Sequence, residues 1–295
     1  MTQDKIGNWG RWGDDDERGA ANFITPEVLK SALGVVKKGK VYSLCLPLQL
    51  QFDGVTFAPF ANRVGSVHLM SLDGGDFAAG RTPRDGRKSA DDYLFLFLHG
   101  STHIDALSHV WIDDKIYGGF SGDTVTSTGA EYCGIDKLKW IVGRGVLLDI
   151  ARYKGVDVLG KSYAITPADL DGCAEQQGVD IRSGDILLIR TGCINALKTD
   201  AGAWVSKQPG IGIDTVPWIA EREVCAVGAD NTTLEVQPIK KSVHVELLRN
   251  RGVYVMEMLS LDELAADKAY EFLFVAAPLR IGRATASPLN PLAIV

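Results

Sequence analysis

Three of the chain's five histidines fall within eleven residues, in the string HGSTHIDALSH at positions 99–109. Even scatter along the chain would place roughly 0.2 there. His99 and His103 lie four apart, Asp105 two beyond His103, and His109 four beyond Asp105. Gly100, Ser101 and Thr102 are weak helix formers, so the first part of the string reads as a turn. In extended chain after that turn, His103 and Asp105 point the same way, because alternate residues share a face. The turn then folds His99 back towards them. Two imidazoles and one carboxylate make a ligand set for a catalytic divalent ion with open positions, such as Zn²⁺, Mn²⁺ or Fe²⁺. His109 stands beside that set either as a fourth ligand or as a free imidazole that takes the proton of an activated water.

A second group of residues carries weaker signals. Glu257 interrupts the apolar run VYVMEML, where an ionised carboxylate is costly unless it is paired or holds a metal. It either faces the pocket or forms an ion pair with an arginine such as Arg280 or Arg283. His244, in SVHVELLRN, reads on pattern alone as a half-buried residue of a helix. Trp111 either stacks on an aromatic ring or belongs to the core. His68 either reaches the pocket or is an ordinary surface or core residue. Trp9 and Trp12 either cap a neighbour's pocket or anchor an N-terminal arm. No nucleophile competes with the metal reading: there is no GxSxG elbow, no GxxxxGK[ST] loop, and no cysteine in an activating context.

The elements that must position these residues follow from short apolar runs and helix start signals. The histidine string directly follows YLFLFL at 93–98, expected to be a buried strand that holds the site rigidly at its end. Further strands are expected at 145–150, 185–190, 224–227, 253–258 and 272–278. Several are apolar on both faces, as strands covered on both sides are. Thr25-Pro26-Glu27 and Thr166-Pro167-Ala168-Asp169 each open a helix, and Gly178 ends the second. The Gly-rich stretch 73–92 reads as a long loop, either a mobile active-site flap or partly disordered. No proline- or serine-rich linker divides the chain. The expectation is a polar N-terminal arm at 1–24 and a single large α/β domain at 25–295.

Composition narrows the function classes. The 295 residues are 46% hydrophobic and 23% charged with net charge −6, an ordinary globular balance. Without a basic surplus, nucleic acid is not an expected partner. No window approaches about 18 consecutive apolar residues and no secretory signal is legible, so no membrane association is expected. Five scattered cysteines without a CxxC pair fit free thiols in a reducing cytoplasm.

HGSTHIDALSH resembles the HxGTHxDxPxH signature of the metal-dependent cyclase-like hydrolases, a family that includes bacterial kynurenine formamidase and isatin hydrolase. GDILLIRTG, GADNTTLE, VHVELLRNRGVYVMEMLSLDEL and FLFVAAPLRIGRATASPLNP also look similar. Ser101 and Leu107 stand where the signature has Gly and Pro. The resemblance implies a swivelling β/β/α fold, with His99, His103 and Asp105 as metal ligands and His109 as general acid/base. It also implies that His244 and Glu257, with Asp105 bridging, complete a second metal position. The interval from His244 to Glu257 looks one residue longer than in the formamidases, and isatin hydrolases work with one manganese, so one or two Mn²⁺ or Zn²⁺ ions per chain are expected. The implied function is a metal-dependent amidohydrolase that cleaves a C–N bond of a small cyclic amide or aryl formamide through metal-bound hydroxide. The alternatives are a lactone hydrolase on the same scaffold and a metal-holding ligand-binding protein without turnover. The implied assembly is a homodimer or homotetramer.

Overall fold

The structure, a computed structural model, describes residues 7–48 and 65–295. In chain order the strands are β1 (Val41–Ser43), β2 (Val67–Leu72), β3 (Asp91–Phe95), β4 (His103–Asp105), β5 (Val125–Thr126), β6 (Gly129–Ala130), β7 (Ile141–Asp149) and β8 (Ala164–Ile165). There follow β9 (Ile186–Arg190), β10 (Gly210–Ile211), β11 (Ala226–Ala229), β12 (Tyr254–Glu257), β13 (Glu271–Ala276), β14 (Ala286–Pro288) and β15 (Leu292–Ile294). Nine of them form one mixed sheet in the order β1-β15-β13-β7-β9-β11-β12-β4-β14. At its centre β7, β9, β11 and β12 run parallel, and β4 pairs antiparallel with β12 on one side and β14 on the other. The α/β expectation therefore holds.

The parallel centre follows from composition. Strands reading ILLIR and YVME are buried almost throughout, which requires cover on both faces and hence helical crossovers. The crossover from β7 to β9 contains the helix Pro167–Gln177, where Thr166 and Asp169 form a capping box and Gly178 closes the other end at φ +69°. One buried ion pair pins the centre: Arg144 in β7 donates from Nε and Nη2 to Asp185, at 3.0 and 2.6 Å.

Two expectations need correction. The run at 93–98 is not a buried strand of the main sheet. Its observed strand, β3, pairs among the described residues with β2 alone, as a two-stranded hairpin whose Val67, Leu69, Met70, Tyr93, Leu94 and Phe95 are exposed. An apolar run reports low polarity, not which surface covers it. The connector at 73–92 is not loop throughout either. It contains the helix Gly74–Ala78, capped by Asp73 and Asp76, and ends in β3.

From residue 7 on, the arm packs on its own chain. The Trp9 indole donates to the Arg249 carbonyl at 2.6 Å, and Trp12 meets the Phe23 ring edge-on at 5.0 Å. The five cysteines are free thiols. Among the described residues no helix is long and apolar enough to cross a membrane.

Candidate metal centre

Strand register builds the site. Across the β4–β12 pair His103 lies opposite Glu257, and Ile104 opposite Met256. Directly opposed residues share a face with Cβ atoms about 5 Å apart, so His103 and Glu257 start as neighbours. Asp105, two residues along β4, projects from that same face. Thr102 locks the register. Its hydroxyl accepts the Leu46 N–H at 2.8 Å and donates to the Met258 carbonyl at 2.6 Å.

Turns supply the rest. The Gly100 N–H donates to the Phe97 carbonyl at 2.8 Å, closing the turn that returns His99 to β4. Beyond β4, the His109 N–H donates to the Ala106 carbonyl at 3.0 Å and doubles the chain back again. His244 opens the π-helical turn Val245–Arg249, a widened form of helix often found at functional sites.

The assembled cluster is tight and largely buried. Nε2 of His99 and of His103 each stand 3.4 Å from Asp105 Oδ1. His103 Nε2 lies 3.5 Å from Glu257 Oε2, and His244 Nε2 lies 3.0 Å from Glu257 Oε1 and 3.7 Å from Asp105 Oδ2. One candidate ligand set comprises His99, Asp105 and His109, and another comprises Asp105, His244 and Glu257, with the donor atoms in each within 4.8 Å of one another. Asp105 belongs to both. His99, His103, Asp105, His244 and Glu257 are buried, while His109 is half-buried.

Hydrogen bonding and charge bear on whether an ion fits. Asp105 is 1% exposed, yet neither of its carboxylate oxygens has a hydrogen-bond partner among the described residues, nor has His103 Nε2. Buried polar atoms normally find partners, and a divalent ion coordinated by these atoms would satisfy them together. His103 Nδ1 lies 2.8 Å from the Ser101 carbonyl. A carbonyl only accepts, so Nδ1 carries the hydrogen and Nε2 faces the cluster.

Burial pushes the Asp105 carboxyl up, but the imidazoles of His109, His103 and His99 outweigh it and hold the group far below the usual carboxylate range. For His244, burial pulls the pKa down, and Glu235, Glu257 and Asp105 override it, leaving the ring well above the ordinary histidine value. His103 is raised likewise: burial opposes, and Asp105 and Glu257 prevail. The imbalance of buried negative charge is what a cation would relieve. The residues present therefore fit a divalent ion.

The site thus brings together His99, His103, Asp105, His109, His244 and Glu257. Glu257 has His103 and His244 as its partners rather than Arg280 or Arg283. His109 offers a donor atom within 4.8 Å of those of His99 and Asp105. His68 is not part of the cluster: it sits on the exposed hairpin, with Nε2 2.7 Å from Asp92. Trp111 is 40% exposed, so it is not core. Sequence reasoning passed over Glu235, which is buried and whose Oε1 lies 2.8 Å from His244 Nδ1. Its traces were an acid in the otherwise neutral run TTLEV, nine residues before His244, and its place at the end of the GADNTTLE stretch.

Comparison with known proteins follows the same lines. The Cyclase family model, described as "Putative cyclase", matches residues 42–236. An isatin hydrolase of Roseibium aggregatum is 24% identical over 221 residues, covering 72% of this chain and 77% of that protein. The crystal structure of a novel cyclase superposes with TM-score 0.92 at 42% identity, covering 99% of this chain and 100% of the other. A predicted metal-dependent hydrolase from Bacillus stearothermophilus shares the fold, with TM-score 0.56 at 20% identity over 86% of this chain and 97% of its own.

Proposed function

Because the chain belongs to the Cyclase family, we propose that it is a metal-dependent hydrolase acting on a C–N bond of a small cyclic amide or aryl formamide. The observation that carries this reading is the buried Asp105 carboxylate, two oxygens without a hydrogen-bond partner among the described residues, inside a ring of four imidazoles and Glu257. The isatin hydrolase likeness supports an amide substrate.

His99, His103 and Asp105 would hold one ion, and Asp105, His244 and Glu257 a second. An ion there supplies Lewis acidity, polarising a carbonyl and lowering the pKa of water. The chain's own groups do the rest. His109, half-buried and with its ring centroid 4.3 Å from that of His99, stands where it can take a proton from the attacking water and return it to the leaving nitrogen. Burial of the carboxylates excludes bulk water, which strengthens each charge interaction in the site. The assembly is proposed to be a homodimer or homotetramer, supported by the apolar side chains exposed on the β2–β3 hairpin.

The test is elemental analysis of the purified protein, followed by hydrolysis assays across cyclic amides, aryl formamides and lactones. Bound metal with amide turnover supports the proposal. Turnover of lactones alone moves the substrate class to cyclic esters. Bound metal with no turnover on any of them leaves a metal-holding binding protein.

A further inference from the structure

Three imidazoles have an Nε2 near Asp105, but their outer nitrogens are supported differently. His103 Nδ1 meets a backbone carbonyl, that of Ser101. His244 Nδ1 instead meets a side chain, Oε1 of Glu235, at 2.8 Å. The other oxygen of that carboxylate accepts the Val243 N–H, one residue before His244. Glu235 is 2% exposed, and its ion-pair partner among the described residues is His244. It reaches this place by long-range folding: a bridge ties Glu235 to Ile211, and Asn231 Nδ2 in the same segment donates to the carbonyls of Pro209 and Leu234 at 2.8 and 3.2 Å.

We propose that Glu235 is a positioning residue that fixes the ring nitrogen His244 presents to Asp105 and Glu257, and so decides whether the second ion binds. The inference rests on the metal-centre reading of Asp105, His244 and Glu257. The chemistry is that of a carboxylate behind a ligating histidine, which sets the tautomer and orientation of the ring. A carboxylate only accepts and a backbone N–H only donates. With Val243 N–H on one oxygen, the other oxygen must be met by a hydrogen on Nδ1. Nε2 is then the nitrogen aimed at Glu257 Oε1, at 3.0 Å, and Asp105 Oδ2, at 3.7 Å, and its lone pair is the one available to an ion.

Glu235→Gln separates this role from simple packing. The amide oxygen must take the Val243 N–H, because the amide NH₂ cannot accept it. The NH₂ is left facing His244 Nδ1, which turns that nitrogen into an acceptor and moves the ring hydrogen to Nε2. A protonated Nε2 cannot bind a metal.

The experiment titrates zinc into metal-free wild type and Glu235→Gln by calorimetry, checks stoichiometry by elemental analysis, and records ¹⁵N histidine spectra of the zinc-loaded forms. The expected result is two ions in wild type, with His244 protonated at Nδ1 and metal-bound at Nε2. In Glu235→Gln, with circular dichroism unchanged, the second ion should bind about 10–100-fold more weakly, while the ion at His99, His103 and Asp105 remains. Two ions at wild-type affinity in folded Glu235→Gln would overturn the inference and leave the metal centre standing. Wild type that takes up no ion at Asp105, His244 and Glu257 would overturn that reading and this inference with it. Should the variant not fold, the wild-type spectrum decides: an unprotonated His244 Nδ1 refutes the role, and a protonated one supports it.

Discussion

At the scale of the residue, two imidazoles of the histidine string, His103 and His109, are expected to behave differently. His103 is buried between Asp105 and Glu257, with its Nε2 3.4 and 3.5 Å from their oxygens. His103→Ala should therefore lose most of the metal, and full occupancy by elemental analysis would count against it as a ligand. His109 is half-buried, and its removal leaves five candidate ligands in place. His109→Ala should keep its metal and lose roughly 10²–10⁴ in kcat, the usual share of a positioned acid or base. Parental turnover in that variant would make His109 structural. The raised histidines also set a pH dependence. In the metal-free protein the folded-state pKa values of His244 and His103 lie above the ordinary one, so their contribution is full below about pH 6.5. It is lost as pH rises through the elevated values. The Tm of chelator-treated protein should then fall between pH 6.5 and 8, before cysteines and lysines titrate. A flat or rising Tm over that interval would contradict it.

At the scale of the element, the sheet centre depends on pairings that single substitutions can break. Arg144 in β7 and Asp185 just before β9 are both nearly inaccessible, and their two hydrogen bonds tie adjacent parallel strands. Arg144→Ala strands the Asp185 carboxylate in the interior and should cost about 3–5 kcal/mol in urea unfolding. A loss below 1 kcal/mol would mean that water or a neighbouring group replaces the guanidinium. By contrast, the cap at Thr166 acts on one helix end only. Thr166→Ala removes the acceptor for the Asp169 N–H and should cost about 1 kcal/mol with no change in metal content.

At the scale of the whole molecule, the site joins parts of the chain that meet only on folding. β4 carries His103 and Asp105, the turn before it carries His99, β12 carries Glu257, and the segment between β11 and β12 carries Glu235 and His244. An ion held between them binds the folded chain and not the unfolded one. At a free concentration about 100 times its Kd, it should add about 2.7 kcal/mol. Removing metal with a chelator should lower the Tm and readdition should restore it. An unchanged Tm in protein shown to contain metal would mean that the ion does not bridge these elements. Sedimentation or light scattering tests the proposed oligomer. A mass of 31.9 kDa at working concentration would make the exposed hairpin a feature of a monomer.

The amino-acid sequence by itself determined what is local. A turn of weak helix formers followed by extended chain suffices to bring His99, His103 and Asp105 to one side, because side-chain alternation along a strand needs no partner. The capped helix at 167–177 and the buried strands β7, β9, β11 and β12 were legible for the same reason: caps and short apolar runs act over a few residues. Tertiary structure alone decided the rest. Glu257 faces His103 across more than 150 residues only because β12 and β4 pair in that register, and a one-residue slip would turn it to the opposite face. Glu235 and His244 meet through side chains and irregular backbone, which leave no period in a sequence. The run at 93–98 taught the converse. Its apolar residues implied burial, but burial belongs to whatever packs against a strand, and among the described residues β3 has only β2 beside it.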